Sequence, residues 1–171
     1  MKWSRSILIL LVVFVAGGVV ALGLGRATKL ITFPILAEPA MSKTFNQMVI
    51  EALAEVPTIS AADAYQEMQA DTNTLVVDVR DVSDISVTGI IPGAVNISLG
   101  TLTYKADNEV PQEWRDPTLA NRSRPIITTC ETGEMAALAG RLLKDMGFSN
   151  VHILKGGTVA WKGAGYPTHA Q

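Results

Sequence analysis

Thr74-Leu75-Val76-Val77-Asp78-Val79 is a near-continuous apolar run, the pattern of a parallel strand covered on both faces rather than of a sheet with one face in water. Two further runs repeat it, Pro125-Ile126-Ile127-Thr128-Thr129 and Val151-His152-Ile153-Leu154. Helical patterns separate them. Ser60, with Asp63 after it, is a candidate N-cap for a short helix ending near Gln69. Met135, Leu138, Ala139, Leu142 and Met146 share one face of a helix that stops at Gly147. A short helix containing Trp161 follows the last run. Strands alternating with helices predict an α/β fold, an open, mostly parallel sheet flanked by helices.

Between these segments, Gly89 to Ala94 reads as a turn and Val95-Asn96-Ile97 as a short strand. Leu99 to Arg124, interrupted by Pro111 and Pro117, is expected to be a surface excursion with one or two short turns, held down on the body by Trp114. Upstream, Thr44 to Ala54 places Phe45, Met48, Val49, Ala52 and Leu53 on one helical face, to pack against the domain or a bilayer surface.

The stretch from Ile7 to Gly25 carries no charge and is long enough to cross a hydrocarbon core as a helix. Lys2 and Arg5 precede it, and it exceeds the length of an ordinary signal-peptide core. The expectation is one transmembrane helix, with a cleaved signal peptide or a start at Met41 as alternatives. Arg26 and Lys29 nearly cancel the flanking charge bias, which leaves a preference for an N-in topology with the soluble part on the extracytoplasmic, periplasmic side. The chain thus divides into an anchor or signal peptide at 1–28, a linker with an amphipathic helix at 29–57, and a folded domain at 58–168.

A net charge of -2, with no basic stripe beyond the N-terminus, argues against nucleic-acid binding. With 171 residues there is room for one ordinary domain plus an appendage. The single cysteine, Cys130, excludes an internal disulfide and an all-cysteine zinc site. His152 lies in an expected strand and His169 in a solvated tail, and neither has metal-ligand spacing. No metal and no cofactor is expected.

Cys130 follows an apolar strand and precedes a helix that begins near Glu134. Loop amides and the positive end of the helix would then face the sulfur and favour the thiolate, the reactive form. The competing reading is a buried structural cysteine. In open parallel sheets the ligand crevice lies beyond the carboxyl ends of the strands. Asp78 to Asp81, Asn96 to Ser98, Cys130 to Glu134 and Gly156-Gly157 should therefore share one rim.

With these segments placed, the chain resembles a single-domain rhodanese from roughly Ser60 to Pro167. The matching pieces are Val77-Asp78-Val79-Arg80, Ile91-Pro92-Gly93-Ala94-Val95-Asn96-Ile97, Cys130-Glu131-Thr132-Gly133 with Ala136-Ala137, and Gly156-Gly157 with Trp161 and Gly165-Tyr166-Pro167. The resemblance implies a sulfurtransferase. A persulfide on Cys130 would take sulfane sulfur from a small donor or a protein persulfide and pass it to a thiol or other thiophilic acceptor. It also implies that the loop backbone of Glu131, Thr132, Gly133, Glu134 and Met135 binds substrate, and that Asp78 and Arg80 hold the loop through charge-assisted hydrogen bonds. Successive N–H groups in a curved loop form an anion nest, and Gly133 allows the curvature.

Departures from the family pattern also matter. Met135 and Glu131 stand where the family commonly has an arginine or polar residue and a cation, and Glu134 adds a second carboxylate. Ile90 stands where a histidine is usual, at a position that is seldom chemical. A carboxylate at about 7 Å costs roughly 0.6 to 2.4 kcal/mol per facing charge at effective dielectrics of about 80 to 20. Low thiosulfate affinity is expected, with Glu131→Arg raising it, unless Glu131 and Glu134 point to solvent and Glu134 only complements the helix dipole. Arg141 is too far along the helix to replace the loop cation. A catalytically weak module that recruits a protein partner at the membrane is the alternative function. A cysteine phosphatase would need arginine at position 136, which is alanine, and a thiol peroxidase would lack a resolving cysteine.

Overall fold

The computed structural model describes residues 42–170 together with Val19–Val20 and Ile31–Thr32. The chain divides into two compact units, Met1–Ser42 and Lys43–Gln171. In the first, β1 (Val19–Val20) and β2 (Ile31–Thr32) pair antiparallel. Of the apolar stretch expected as a membrane helix, only Val19–Val20 is described, and these β-branched residues are extended. The rest of that stretch, and the linker up to Met41, lie outside the described residues. Among the described residues no helix is long and apolar enough to cross a membrane.

The second unit is built on a parallel sheet of five strands, in the order β3 (Thr58–Ile59), β7 (Val151–Leu154), β6 (Ile126–Thr129), β4 (Leu75–Asp78) and β5 (Val95–Asn96). Strand periodicity sends alternate residues to opposite faces. Leu75, Val77, Ile126, Val151 and Ile153 join one apolar cluster, while Val76, Ile127 and Leu154 join another. Helices cover both clusters, which is why the strands read as unbroken apolar runs.

On the first face lie α1 (Phe45–Glu55), α4 (Leu99–Lys105) and α5 (Glu134–Asp145). Thr44 caps α1, reciprocally with Gln47. Val49 and Ala52 of α1 are buried in the cluster that includes Ala136, Ala139 and Leu143 of α5. Phe45, Met48 and Leu53, expected on the packed face, stay 47%, 40% and 46% exposed, because the alanine-rich surface of α5 offers α1 only a narrow strip. Arg141 joins the two helices through an ion pair with Glu55 at 2.8 Å. The second face carries α2 (Ala61–Ala70) and α6 (Gly157–Gly163). Trp161 is buried there, and its indole N–H donates to the Pro167 carbonyl at 2.8 Å.

Three further details differ from the expectation. Val82–Thr88 is a helix, α3, that was not anticipated. Trp114 sits in a short 3₁₀ turn and is 55% exposed, so it does not clamp the excursion; Leu119, at 1%, does that. The tail is also tied down, because His169 and Ile90 exchange backbone hydrogen bonds at 2.9 and 3.0 Å.

Asp78 and Arg80, at 0% and 2% exposure, form a buried ion pair at the end of β4, with the guanidinium Nη2 2.6 Å from Oδ2. Burial works against the arginine's charge, and its bonds to Asp78 and Glu131 outweigh that, so its pKa is raised above the usual value. Removing one member of such a pair strands the other. Arg80→Met should cost about 3–5 kcal/mol by urea denaturation.

Gly157, at φ +58, opens α6 directly against the Cys130 loop. A Cβ there would stand 2.4 Å from the Cys130 carbonyl oxygen and 2.5 Å from that of Glu131. Gly157→Ala should lose about 2–4 kcal/mol in the same experiment, from overpacking plus left-handed strain. Gly163→Ala, in open space at the end of the same helix, should be neutral or stabilising by up to about 1 kcal/mol.

Candidate active site

Strand β6 ends at Thr129, so Cys130 is the first residue beyond the sheet and α5 begins four residues later at Glu134. The turn between them is closed by Gly133 at φ +114, a backbone angle open to glycine and strained for other residues. Cys130 is 3% exposed. Its Sγ accepts hydrogen bonds from the backbone N–H of Gly133 at 3.1 Å and of Ala136 at 3.4 Å. The Ala136 amide belongs to the first turn of α5, where N–H groups have no intrahelical acceptor. Sequence reasoning stopped the loop at Met135 and missed it, although the third amide of any helix is such an orphan.

The second half of the loop's geometry comes from α6. The Cys130 carbonyl accepts from the Thr158 N–H at 2.8 Å and from its hydroxyl at 3.1 Å. The Glu131 carbonyl accepts from the Val159 N–H at 3.0 Å. In a trans peptide the C=O and the following N–H point in opposite directions, so the amides of Glu131 and Thr132 face away from α6. Thr158 had no motif to mark it, because its role arises only when α6 docks.

Arg80 reaches this loop from β4. Nε and Nη2 bind Asp78, Nη2 also donates to the Gly89 carbonyl at 2.8 Å, and Nη1 donates to the Thr88 hydroxyl at 2.6 Å and to Glu131 Oε2 at 2.9 Å. Asn96 braces the same corner, donating to the carbonyls of Asp78 at 2.9 Å and Arg80 at 2.8 Å. The four segments expected on one rim therefore meet.

The structure changes the reading of the loop's acidity. The Glu131 carboxylate does not stand alone beside the sulfur: its Oε2 is paired with Arg80 at 2.9 Å, while the side chain stays 45% exposed. Glu131→Arg would set two guanidinium groups against each other and is not the substitution that tests the electrostatics. Glu134 is exposed, accepts from the Thr132 hydroxyl and from its own backbone amide, and is held below the usual carboxylate pKa, chiefly by the Thr132 bond. It is ionised at neutral pH.

A cavity of about 580 Å³ opens over the sulfur. Phe45, Val87 and Met135 contribute its apolar wall, and Asp84, Glu131 and Glu134 its carboxylates. Phe45, Asp84 and Val87 carry no family motif; Phe45 was expected only on the packed face of α1, and Asp84 and Val87 were not singled out from sequence. Among the described residues no cluster of His, Cys, Asp or Glu is placed to hold a metal ion.

Comparison with known proteins agrees with this architecture. A Drosophila melanogaster rhodanese domain-containing protein, CG4456, is 32% identical over 87 residues, covering 50% of this chain and 78% of the relative. A Rhodopseudomonas palustris structure described as a protein of unknown function, possible tyrosine phosphatase, superposes with a TM-score of 0.70 at 28% identity, over 77% of this chain and 98% of that one. The solution structure of a Wolinella succinogenes polysulfide-sulfur transferase homodimer gives a TM-score of 0.60 at 26% identity, over 74% and 88% of the two chains. The family model for the rhodanese-like domain matches residues 60–164, which span β4, β5, β6 and β7 and begin just after the edge strand β3. This chain belongs to the rhodanese-like domain family.

Proposed function

We propose that this protein is a sulfurtransferase that carries sulfane sulfur as a persulfide on Cys130. The observation that carries the reading is the pair of backbone amides on Sγ, from Gly133 and Ala136. The Cys130 thiolate attacks the outer sulfur of a donor persulfide. A new S–S bond forms at Cys130 as the donor's S–S bond breaks, and the bonding pair leaves with the donor as its thiolate. An acceptor thiolate then attacks the terminal sulfur, the Cys130 S–S bond breaks, and the pair returns to Sγ. One neutral sulfur atom moves in each step, so no external oxidant or reductant enters. Both steps begin or end with negative charge on Sγ, where fixed amides stabilise it without reorganising.

A phosphatase reading, prompted by the Rhodopseudomonas palustris protein, fails on chemistry. Phosphate is gripped by an arginine closing the loop, and here position 136 is alanine, with its amide on the sulfur. The binding-module alternative is favoured by one feature, the exposed apolar side chains of Phe45, Val82 and Val87 near the cavity. The intact Cys130 favours the enzyme.

We further propose that residues 7–25 tether the protein to a membrane with the soluble domain on the extracytoplasmic side. Support comes from the uncharged apolar run and from Lys2 and Arg5 ahead of it.

Incubation of the full chain with a persulfide donor should add the mass of one sulfur atom to Cys130, and Cys130→Ser should show none; absence of any adduct with several donors would favour the binding module. A reporter fused after Gln171 that is active only outside the cytoplasm should give signal. A reporter active only in the cytoplasm would reverse the topology.

A further inference from the structure

The cavity over Cys130 has a charge pattern that bears on its substrate, given the sulfur-carrier reading above. Arg80 is the only cation lining it among the described residues. A guanidinium has five N–H donors, and all five of these are engaged: Nε with Asp78, Nη1 with Thr88 and Glu131, and Nη2 with Asp78 and Gly89. None remains for an incoming anion. Lys162 stands behind the same wall, but it donates to the Thr88 carbonyl at 2.7 Å and does not line the cavity.

Glu131 has a particular place in this arrangement. Both it and Arg80 line the cavity, and its carboxylate takes up one of the two Nη1 hydrogens of that cation. The remaining carboxylates, Asp84 and Glu134, are exposed at the rim, and neither forms an ion pair among the described residues. Phe45 and Val87, at 47% and 84% exposure, complete an apolar approach with Met135. Inorganic sulfur dianions are repelled by such an entrance and find no compensating cation inside it. A carrier with an alkyl stem and a positive end meets apolar contact and two unpaired carboxylates.

We propose that the Cys130 site selects sulfane sulfur borne on a cationic organic carrier, and that Glu131 determines this specificity by occupying the Arg80 donor an anionic substrate would use. Asp84 and Glu134 set the preference at the rim, and Glu131 removes the alternative inside.

The test uses a matched pair of donors, the persulfides of cysteamine and of 3-mercaptopropionate, equal in length and opposite in charge. Single-turnover loading of Cys130 on the full chain is followed by mass, and each rate is divided by that of the donor with a free model thiol. Cysteamine persulfide should load about tenfold faster at low ionic strength, with the ratio falling as salt is added. Asp84→Asn combined with Glu134→Gln, both at exposed positions, should bring the ratio close to one. Glu131→Met, which removes the acceptor at similar length, should speed the anionic donor severalfold by releasing an Arg80 N–H, and the salt dependence and rim variant stand without it if that protein does not fold. Equal loading of both donors, or faster loading of the anionic one, overturns the specificity while leaving the carrier function intact. Loading by neither donor overturns both.

Discussion

The buried guanidinium of Arg80 is the point on which the site depends. A charge taken out of water must be paired and fully hydrogen-bonded to persist, and here the partners come from three segments: the end of β4, the end of α3 at Thr88 and Gly89, and the cysteine loop at Glu131. None of these segments can shift without leaving a buried donor unsatisfied. The cysteine loop is thereby held at a fixed distance from the rim of the sheet, although it makes no strand pairing of its own.

A second constraint orients what the first positions. Helix α6 binds the carbonyls of Cys130 and Glu131 through Thr158 and Val159, which turns those peptide planes so that their amides face away from it. On the other side the first turn of α5 supplies the Ala136 N–H to the sulfur. The two amides on the sulfur, from Gly133 and Ala136, thus belong to a loop that α6 holds by its carbonyls and α5 continues. Close approach of α6 requires glycine at 157, where any side chain would collide with the loop carbonyls. Packing and chemistry are the same requirement at that residue.

Legibility in the sequence followed the strength of local pattern. β4, β6 and β7 were readable because all four residues of β4 and β6, and three of four in β7, are buried. α5 was readable from its apolar face and the glycine after it. α3 was not, because only Ile85 of its seven residues is buried and Val82 and Val87 face outward, so no helical stripe exists to be seen. β3 is two residues long and is defined wholly by its pairing with β7. Trp114 misled because size suggests burial, whereas its 3₁₀ turn leaves it 55% exposed beside the charged side chains of Lys105, Glu113 and Arg115. At the site, Cys130, Gly133, Asp78 and Arg80 were legible from motif and spacing. Ala136, Thr158, Phe45, Asp84 and Val87 were not, because they act through a backbone amide or through position in space.

The acidity of the loop shows the division most clearly. From sequence alone the chain is an α/β protein with a parallel sheet, a single cysteine at a strand-to-helix turn, and carboxylates beside it; periodicity and turn chemistry are local, so they can be read in order along the chain. Which carboxylate is neutralised is not local. Glu131 and Arg80 lie 51 positions apart and meet at 2.9 Å only because parallel pairing of β4 with β6 brings their carboxyl ends together. The fold alone decided that Glu131 restrains the arginine while Glu134 stays free, since a charge acts through distance in space and that distance is set by the register of the sheet.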